Sequence, residues 1–199
     1  MNYFSIDREI QDKTKIKRSV FITHLIYVES MKQAKEYISK ISGEHKTASH
    51  NCWAYIIGKK GEIFHSSDAG EPSGSAGRPI LNVLHKKRMT NIVVVVTRYF
   101  GGVKLGIRGL INAYSECVEK AINISSLKRV LEIKHYKIIT SYGFFETLKF
   151  KFKTRSVEII DVKYSEKIIL TIAIEVGQIK KMENYLTELE KSGKIELIY

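Results

Sequence analysis

One segment constrains the fold of this chain more than any other: a nearly continuous apolar strand between two glycine-rich segments. The strand runs from Asn91 to Thr97 and contains four consecutive valines at 93–96. β-Branched residues favour strands, and a strand that is apolar on both faces is typical of the covered centre of a sheet. The sequence therefore predicts a central strand with other elements packed on both of its faces.

The two flanking segments are rich in glycine, which allows the backbone to approach a partner closely. Residues 66–79 read SSDAGEPSGSAGRP, and residues 98–109 read RYFGGVKLGIRG. Gly adopts positive φ, and a Gly-rich turn leading into a helix exposes N–H donors that suit anions. Because arginines and aromatic residues lie in or beside both segments, a phosphate-bearing partner is the first hypothesis.

The charge of the chain is consistent with such a partner. There are 33 Lys and Arg against 21 Asp and Glu, which gives a net charge of +12. Residues 1–129 carry +10 of this excess. A basic surface attracts nucleic acid or an anionic membrane, although a lysine-rich solvated surface accounts for the charge equally well.

Several classes of protein are disfavoured by the sequence. Cys52 and Cys117 are far apart and form no CxxC pattern, which argues against a zinc site and a disulfide scaffold. The N-terminal residues have no signal-peptide pattern, and no apolar run reaches the ~20 residues of a membrane span. Neither glycine segment fits the Walker or Rossmann nucleotide motif. We therefore expect a cytoplasmic protein without a membrane partner, a metal, or a nucleotide or other cofactor.

Hydrophobic periodicity predicts two domains of mixed α+β class. After a polar arm or edge at 1–17, the first domain spans 18–125. Its predicted elements are a strand at 20–28, a helix capped by Ser30, a hairpin of 52–57 and 62–65, a helix at about 77–87, the valine strand and a helix at 107–122. Beyond a boundary near 123–134, residues 133–199 show the order βαββαβ, which is the ferredoxin-like split βαβ motif.

A phosphate-binding surface is predicted at the glycine segments. Arginine offers planar, bidentate contacts to phosphate, and aromatic rings can stack on bases. The candidate cations are Arg78, Arg98, Lys104 and Arg108, with Gly101, Gly102 and Gly106 allowing close backbone approach. Tyr99 and Phe100 are available for stacking. The alternative is that both aromatic residues belong to the core and that Arg98 forms a buried ion pair with Asp68 or Glu71.

The first glycine segment also offers groups for acid–base chemistry. The possible loop site consists of Asp68, Glu71, Ser73 and His65. Carboxylates and an imidazole could serve an enzyme that acts on a phosphorylated small molecule. The alternative is a turn followed by a helix cap. A metal site with His50 and Cys52 is disfavoured because their i, i+2 spacing is not the usual ligand spacing.

At these residues the chain resembles a known family, the YigZ/IMPACT family. The resemblance rests on SVFITHL, SHNCWAY, SSDAGEPSGSAGRPILNVL, TNIVVVVTRYFGGVKLG and GLINAY, and it covers about residues 18–122. The βαββαβ region resembles the second domain of the bacterial two-domain YigZ-type members. The family usually has Asp where this chain has Ala69, and a small residue and Gly where it has Ile107 and Arg108.

The resemblance implies an N-terminal domain of the ribosomal protein S5 domain 2-like fold and a ferredoxin-like second domain. These are similar to domains IV and V of elongation factor G, which suggests RNA or the ribosome as partner and regulation of translation as function. The family offers no catalytic mechanism to carry over. We therefore expect a non-catalytic protein that binds RNA or the ribosome and modulates translation, with the small-molecule enzyme as the alternative. A protein partner for the basic surface also remains open.

Overall fold

The computed structural model describes residues 3–130, 133–155 and 157–198, and the chain divides into two compact units, 1–130 and 131–199. The fold class is mixed α+β, as the sequence predicts. Within these described ranges, no helix has both the length and the hydropathy needed to cross a bilayer.

Over residues 3–130, the first unit contains seven strands and three helices. In chain order these are β1 (Tyr3–Ile6), β2 (Ile10–Ile16), β3 (Ser19–Tyr27), α1 (Met31–Glu44), β4 (His50–Ile57), β5 (Ile63–Ser67), α2 (Gly77–Lys86), β6 (Ile92–Tyr99), α3 (Gly106–Asn123) and β7 (Leu127–Val130). Five strands form an antiparallel sheet in the order β2-β3-β6-β4-β5, and β1 pairs with β7 in a two-stranded ribbon.

The valine strand is the centre of this sheet, which confirms the prediction from its composition. Val94 and Val96 of β6 belong to the core formed with α2 and α3. Val93 and Val95 belong to a second core on the opposite face, formed with α1. Since successive side chains of a strand point to opposite faces, one run of valines fills both cores.

From the segment 1–17, expected as an arm or an edge, β2 forms an edge strand of the five-stranded sheet. β2 pairs with β3 from Ile10 opposite Leu25 to Ile16 opposite Ser19. Ile6 and Ile10 are buried in the core shared with α2 and α3. Exposed and less exposed residues alternate in β2 because only one face of this edge strand is turned toward the core.

The second unit has the predicted element order βαββαβ. Its elements are β8 (Ile133–Thr140), α4 (Tyr142–Thr154), β9 (Glu158–Tyr164), β10 (Ile168–Glu175), a 3₁₀ turn (Val176–Gln178), α5 (Ile179–Lys191) and β11 (Ile195–Ile198). The four strands form an antiparallel sheet in the order β11-β8-β10-β9, and both helices contribute to one core with it. The sequence placed a boundary near 123–134, and within that range β7 still belongs to the first unit.

Four connections meet at one end of the five-stranded sheet. They are the β2–β3 turn at 17–18, the α1–β4 loop at 45–49, the β5–α2 loop at 68–76 and the β6–α3 loop at 100–105. The pairings Val20 with Tyr99 and His50 with Arg98 bring three of these connections side by side. Both α2 and α3 begin at this end, so each of the two glycine-rich segments contributes one loop to it.

Candidate functional site

A buried ion pair joins the two glycine-rich segments. Arg98, near the end of β6, donates from Nη1 to Oε1 of Glu71 at 2.7 Å. The two side chains are only 5% and 3% exposed. A pair removed from water to this extent connects the β5–α2 loop firmly to the central strand, since either charge alone would be costly to bury.

Polar side chains surround this ion pair. Tyr114 of α3 donates its hydroxyl to Oε1 of Glu71 at 2.8 Å, and Nη2 of Arg98 donates to Oγ of Ser19 at 3.2 Å. The Cys52 sulfur lies 2.9 Å from the carbonyl oxygen of Asp68 and 3.3 Å from the Tyr114 hydroxyl. Burial raises the pKa of the Cys52 thiol to about 12, and burial also raises the pKa of Tyr114. Both groups therefore stay neutral at physiological pH.

The prediction that Arg98 binds an external phosphate is wrong, and the alternative of a buried ion pair is correct. Arg98 is 4% exposed, and its Nη1 and Nη2 both donate to other residues of the chain. Glu71, a candidate of the possible loop site, is also buried, and one of its oxygens accepts two protein donors. The pair is therefore structural, and neither residue faces a substrate.

Asp68, the other carboxylate of the possible loop site, caps α2. Its Oδ1 accepts from the N–H groups of Ala76 at 2.9 Å and Gly77 at 2.8 Å, and its Oδ2 accepts from Gly74 at 2.9 Å. Burial by itself raises the pKa of Asp68, but these three N–H donors outweigh it and lower the pKa. The anion position at the start of α2 is thus filled by a carboxylate of the chain itself.

His65 and Ser73 do not complete an acid–base site with these carboxylates. His65 is exposed on β5, where its ring lies edge-on against Trp53 and Tyr55. Ser73 is exposed in the β5–α2 loop. Across the described residues, no group of three or more His, Cys, Asp and Glu side chains is arranged to hold a metal ion.

The glycines of the second segment have two different roles. A side chain on Gly101 would overlap the carbonyl oxygen of Arg18 in the β2–β3 turn, so the close approach at Gly101 is made to the chain itself. Gly102 and Gly106 have φ of +83° and +70°, and the space beside both is open. Only these two keep the predicted role of leaving room for a partner.

Ala69 also adopts a left-handed conformation, with φ of +43°. Asp and Asn tolerate this region better than Ala does. Ala69 therefore carries backbone strain that Asp or Asn at this position would reduce.

Exposed cations lie on the connections at this end of the sheet and in the first turns of α2 and α3. Three were predicted as phosphate ligands, and three others arrive from distant parts of the sequence. We call these six residues the basic end: Lys17, Arg18, Lys46, Arg78, Lys104 and Arg108. The sequence analysis missed Lys17, Arg18 and Lys46 because only strand pairing places their connections at the same end of the sheet as the second glycine segment. Glu44, an exposed acid at the end of α1, lies 4.0 Å from Lys40.

The two aromatic residues of the second segment differ in exposure. Tyr99 is half-buried and its hydroxyl lies 2.9 Å from Nδ1 of His45. Phe100 is 47% exposed at the start of the β6–α3 loop. The alternative that both belong to the core is therefore wrong for Phe100, which remains available to a partner.

Comparison with known proteins identifies the family of this chain. A family model described as the Impact N-terminal domain matches residues 17–122. The chain belongs to the IMPACT family. It is 34% identical over 198 residues to the IMPACT family member YvyE of Bacillus subtilis (strain 168), covering 98% of this chain and 90% of that protein. It is 28% identical over 186 residues to the IMPACT family member YigZ of Escherichia coli (strain K12), covering 92% and 91%.

A solved structure gives the same result for the fold. A crystal structure of a hypothetical protein matches with a TM-score of 0.65 and 27% identity, covering 99% of this chain and 96% of that chain. The match spans both units of this IMPACT family member. The resemblance to the YigZ/IMPACT family that the sequence motifs indicated is confirmed by the matches to YvyE and YigZ over most of the chain.

Proposed function

We propose that this IMPACT family member binds RNA, free or in the ribosome, through the basic end, and modulates translation by doing so. The observation that carries the proposal is a set of six exposed cations at the end of the sheet where the four connections lie, together with the exposed ring of Phe100 in the β6–α3 loop. Cations hold the phosphate backbone of a nucleic acid, and an aromatic ring offers a surface to its bases.

The local structure of the second glycine segment supports this proposal. The N-cap residue of α3, Leu105, offers no side-chain cap hydrogen bond, and Lys104 and Arg108 flank the start of the helix. Open space beside Gly102 and Gly106 leaves room for a bulky polyanion. The first glycine segment contributes Arg78, while Asp68 occupies the N–H groups at the start of α2.

The role in translation rests on family resemblance. We propose that the first unit has the ribosomal protein S5 domain 2-like fold and that the second unit is ferredoxin-like, similar to domains IV and V of elongation factor G. The strand order β11-β8-β10-β9 of the second unit is consistent with that proposal. Because domains IV and V belong to a factor that acts on the ribosome, this similarity favours ribosomal RNA as the partner.

The alternative of a small-molecule enzyme has less support. Such an enzyme would need Asp68 or Glu71 to face a substrate. Both carboxylates instead accept hydrogen bonds from the chain, three at Asp68 and two at Glu71. These hydrogen bonds indicate that both carboxylates have structural roles.

Sedimentation with ribosomes tests the proposal. Purified protein is centrifuged with ribosomes at low and at high salt, with and without RNase. We expect the protein to sediment with ribosomes at low salt and to be released by salt or RNase, because phosphate contacts are lost in both cases. Protein that stays free in every condition would contradict the proposal, and so would a complex that resists RNase, which would indicate an acidic protein partner.

A further inference from the structure

We infer that the basic end selects unpaired RNA, with one base stacked on the ring of Phe100. This inference rests on the RNA binding proposed above and names the class of RNA. It depends on how Phe100 is held and on what a duplex can offer to an exposed aromatic ring.

The backbone on both sides of the Phe100 ring is fixed. The N–H of Phe100 donates to Oγ of Ser49 at 3.1 Å, which attaches the residue to the α1–β4 loop. The next residue, Gly101, packs against the carbonyl of Arg18 in the β2–β3 turn. A side chain anchored in this way loses little conformational freedom on binding, which favours affinity.

The ring of Phe100 also packs on a fixed cation. Cζ of Arg98 lies 5.4 Å from the centroid of the Phe100 ring and 5.5 Å from that of Phe21. The guanidinium is held by its ion pair with Glu71. The guanidinium of Arg98 therefore packs against the Phe100 ring, while 47% of the residue remains exposed to solvent.

An exposed aromatic ring favours unpaired RNA over a duplex. In a duplex each base already stacks on its neighbours, whereas an unpaired base offers a free π-face. A surface that used charge alone would bind a duplex at least as well, because the duplex has the higher density of phosphates. The exposed ring of Phe100, at the same end of the sheet as the basic end, is thus the feature that distinguishes the two forms of RNA.

Binding of matched RNAs tests this inference. Fluorescence anisotropy is measured with a labelled single-stranded RNA and with the duplex of the same sequence, for the full chain and for Phe100→Ala. We expect tighter binding of the single strand, and we expect Phe100→Ala to weaken it by about 5- to 150-fold, the range of alanine substitutions at base-stacking aromatics. Duplex affinity should change by less than about 2-fold, because the phosphate contacts remain.

Two further variants serve as controls. Phe100→Trp keeps an aromatic surface and should retain the preference for the single strand. Phe64→Ala removes an aromatic residue of similar exposure, 54%, from the edge strand β5, and should leave both affinities unchanged. Circular dichroism of all variants confirms that the fold is kept.

The outcomes separate this inference from the proposed function. Equal affinity for both RNAs, unchanged by Phe100→Ala, would overturn the stacking and leave RNA binding by charge in place. Absence of binding to either RNA by the full chain would overturn the proposed function itself. A loss of duplex and single-strand affinity to the same extent in Phe100→Ala would also overturn the selection of unpaired RNA.

Discussion

Replacing Glu71 by Gln leaves the guanidinium of Arg98 in a site where its side chain is only 5% exposed. The substituted amide oxygen can still accept from Arg98 and Tyr114, so the hydrogen bonds of 2.7 and 2.8 Å have an acceptor. The compensating negative charge is lost. The effect of this substitution therefore measures how much the buried cation depends on its partner.

The expected loss is large for one exchanged residue. Removing one member of a buried ion pair costs about 3–5 kcal/mol, and we expect Glu71→Gln to lie near about 3 kcal/mol because its acceptor remains. Arg98→Met leaves the carboxylate of Glu71 without its guanidinium and should cost a similar amount. The double variant removes both charges, so its loss should be smaller than the sum of the two single losses by roughly 2–3 kcal/mol.

Urea unfolding followed by tryptophan fluorescence measures these free energies. The chain has one tryptophan, Trp53, which lies in β4 and stacks on Tyr55. Its signal reports on the first unit, where the ion pair lies. Lys86→Met is the control, because Lys86 pairs with Glu119 at 3.1 Å with side chains 74% and 37% exposed. That exposed pair should contribute less than about 1 kcal/mol.

Two results would refute this reasoning. Single variants that lose no more free energy of unfolding than Lys86→Met would show that the buried charges do not depend on each other. A double variant whose loss equals the sum of the single losses would show that the two residues act independently. In either case the attachment of the β5–α2 loop to β6 would need another explanation.

Further predictions concern the stability of the first unit, measured by the same unfolding assay. Asp68→Ala removes the cap of α2 and should lower the free energy of unfolding by about 1–2 kcal/mol at neutral pH. Because folding lowers the pKa of Asp68, the stability that its carboxylate contributes should be lost as the pH falls below 3.8 and the carboxylate is protonated. Burial, and then the charge of His45, lower the pKa of His24, so stability should decline as the pH falls below 6.5, and His24→Leu should reduce that decline. An unchanged pH profile in His24→Leu would refute this assignment. Ala69→Asn should stabilise the unit by about 0.5–1 kcal/mol, since Asn accepts a φ of +43° more readily. A loss of stability would contradict the inference that the backbone is strained at Ala69. Gly101→Ala should cost at least about 1–3 kcal/mol through overlap with the neighbouring turn, and a neutral result would contradict that packing.

Much of the fold could be predicted because its signals are local. The valines of β6 indicated a strand covered on both faces, and Ser30 correctly marked the start of α1, where its Oγ accepts from the N–H of Gln33. The order βαββαβ of the second unit could likewise be predicted from periodicity. In each case the signal lies within the residues that form the element.

The site was harder to predict because its contacts join distant residues. An arginine beside a glycine-rich turn has the same local sequence whether it binds a phosphate or a buried carboxylate, and Glu71 lies 27 residues from Arg98. Lys17 and Lys46 join Lys104 only through the pairing of β3 and β4 with β6. Strand register is set by packing over the whole sheet, so sequence patterns alone did not reveal this cluster.

The most direct test of RNA binding at the basic end compares two charge reversals of equal size. Lys104→Glu with Arg108→Glu changes the basic end, and Lys35→Glu with Lys59→Glu changes exposed lysines at the opposite end of the same sheet. Affinity for single-stranded ribosomal RNA is measured by anisotropy over a range of salt concentrations. We predict that the first variant binds much more weakly and that its slope of log affinity against log salt is smaller by about 1.4, or about 0.7 for each lost phosphate contact. The second variant should bind like the unmodified chain. Equal losses in both variants, or no loss in the first, would contradict the assignment of the basic end as the RNA-binding surface.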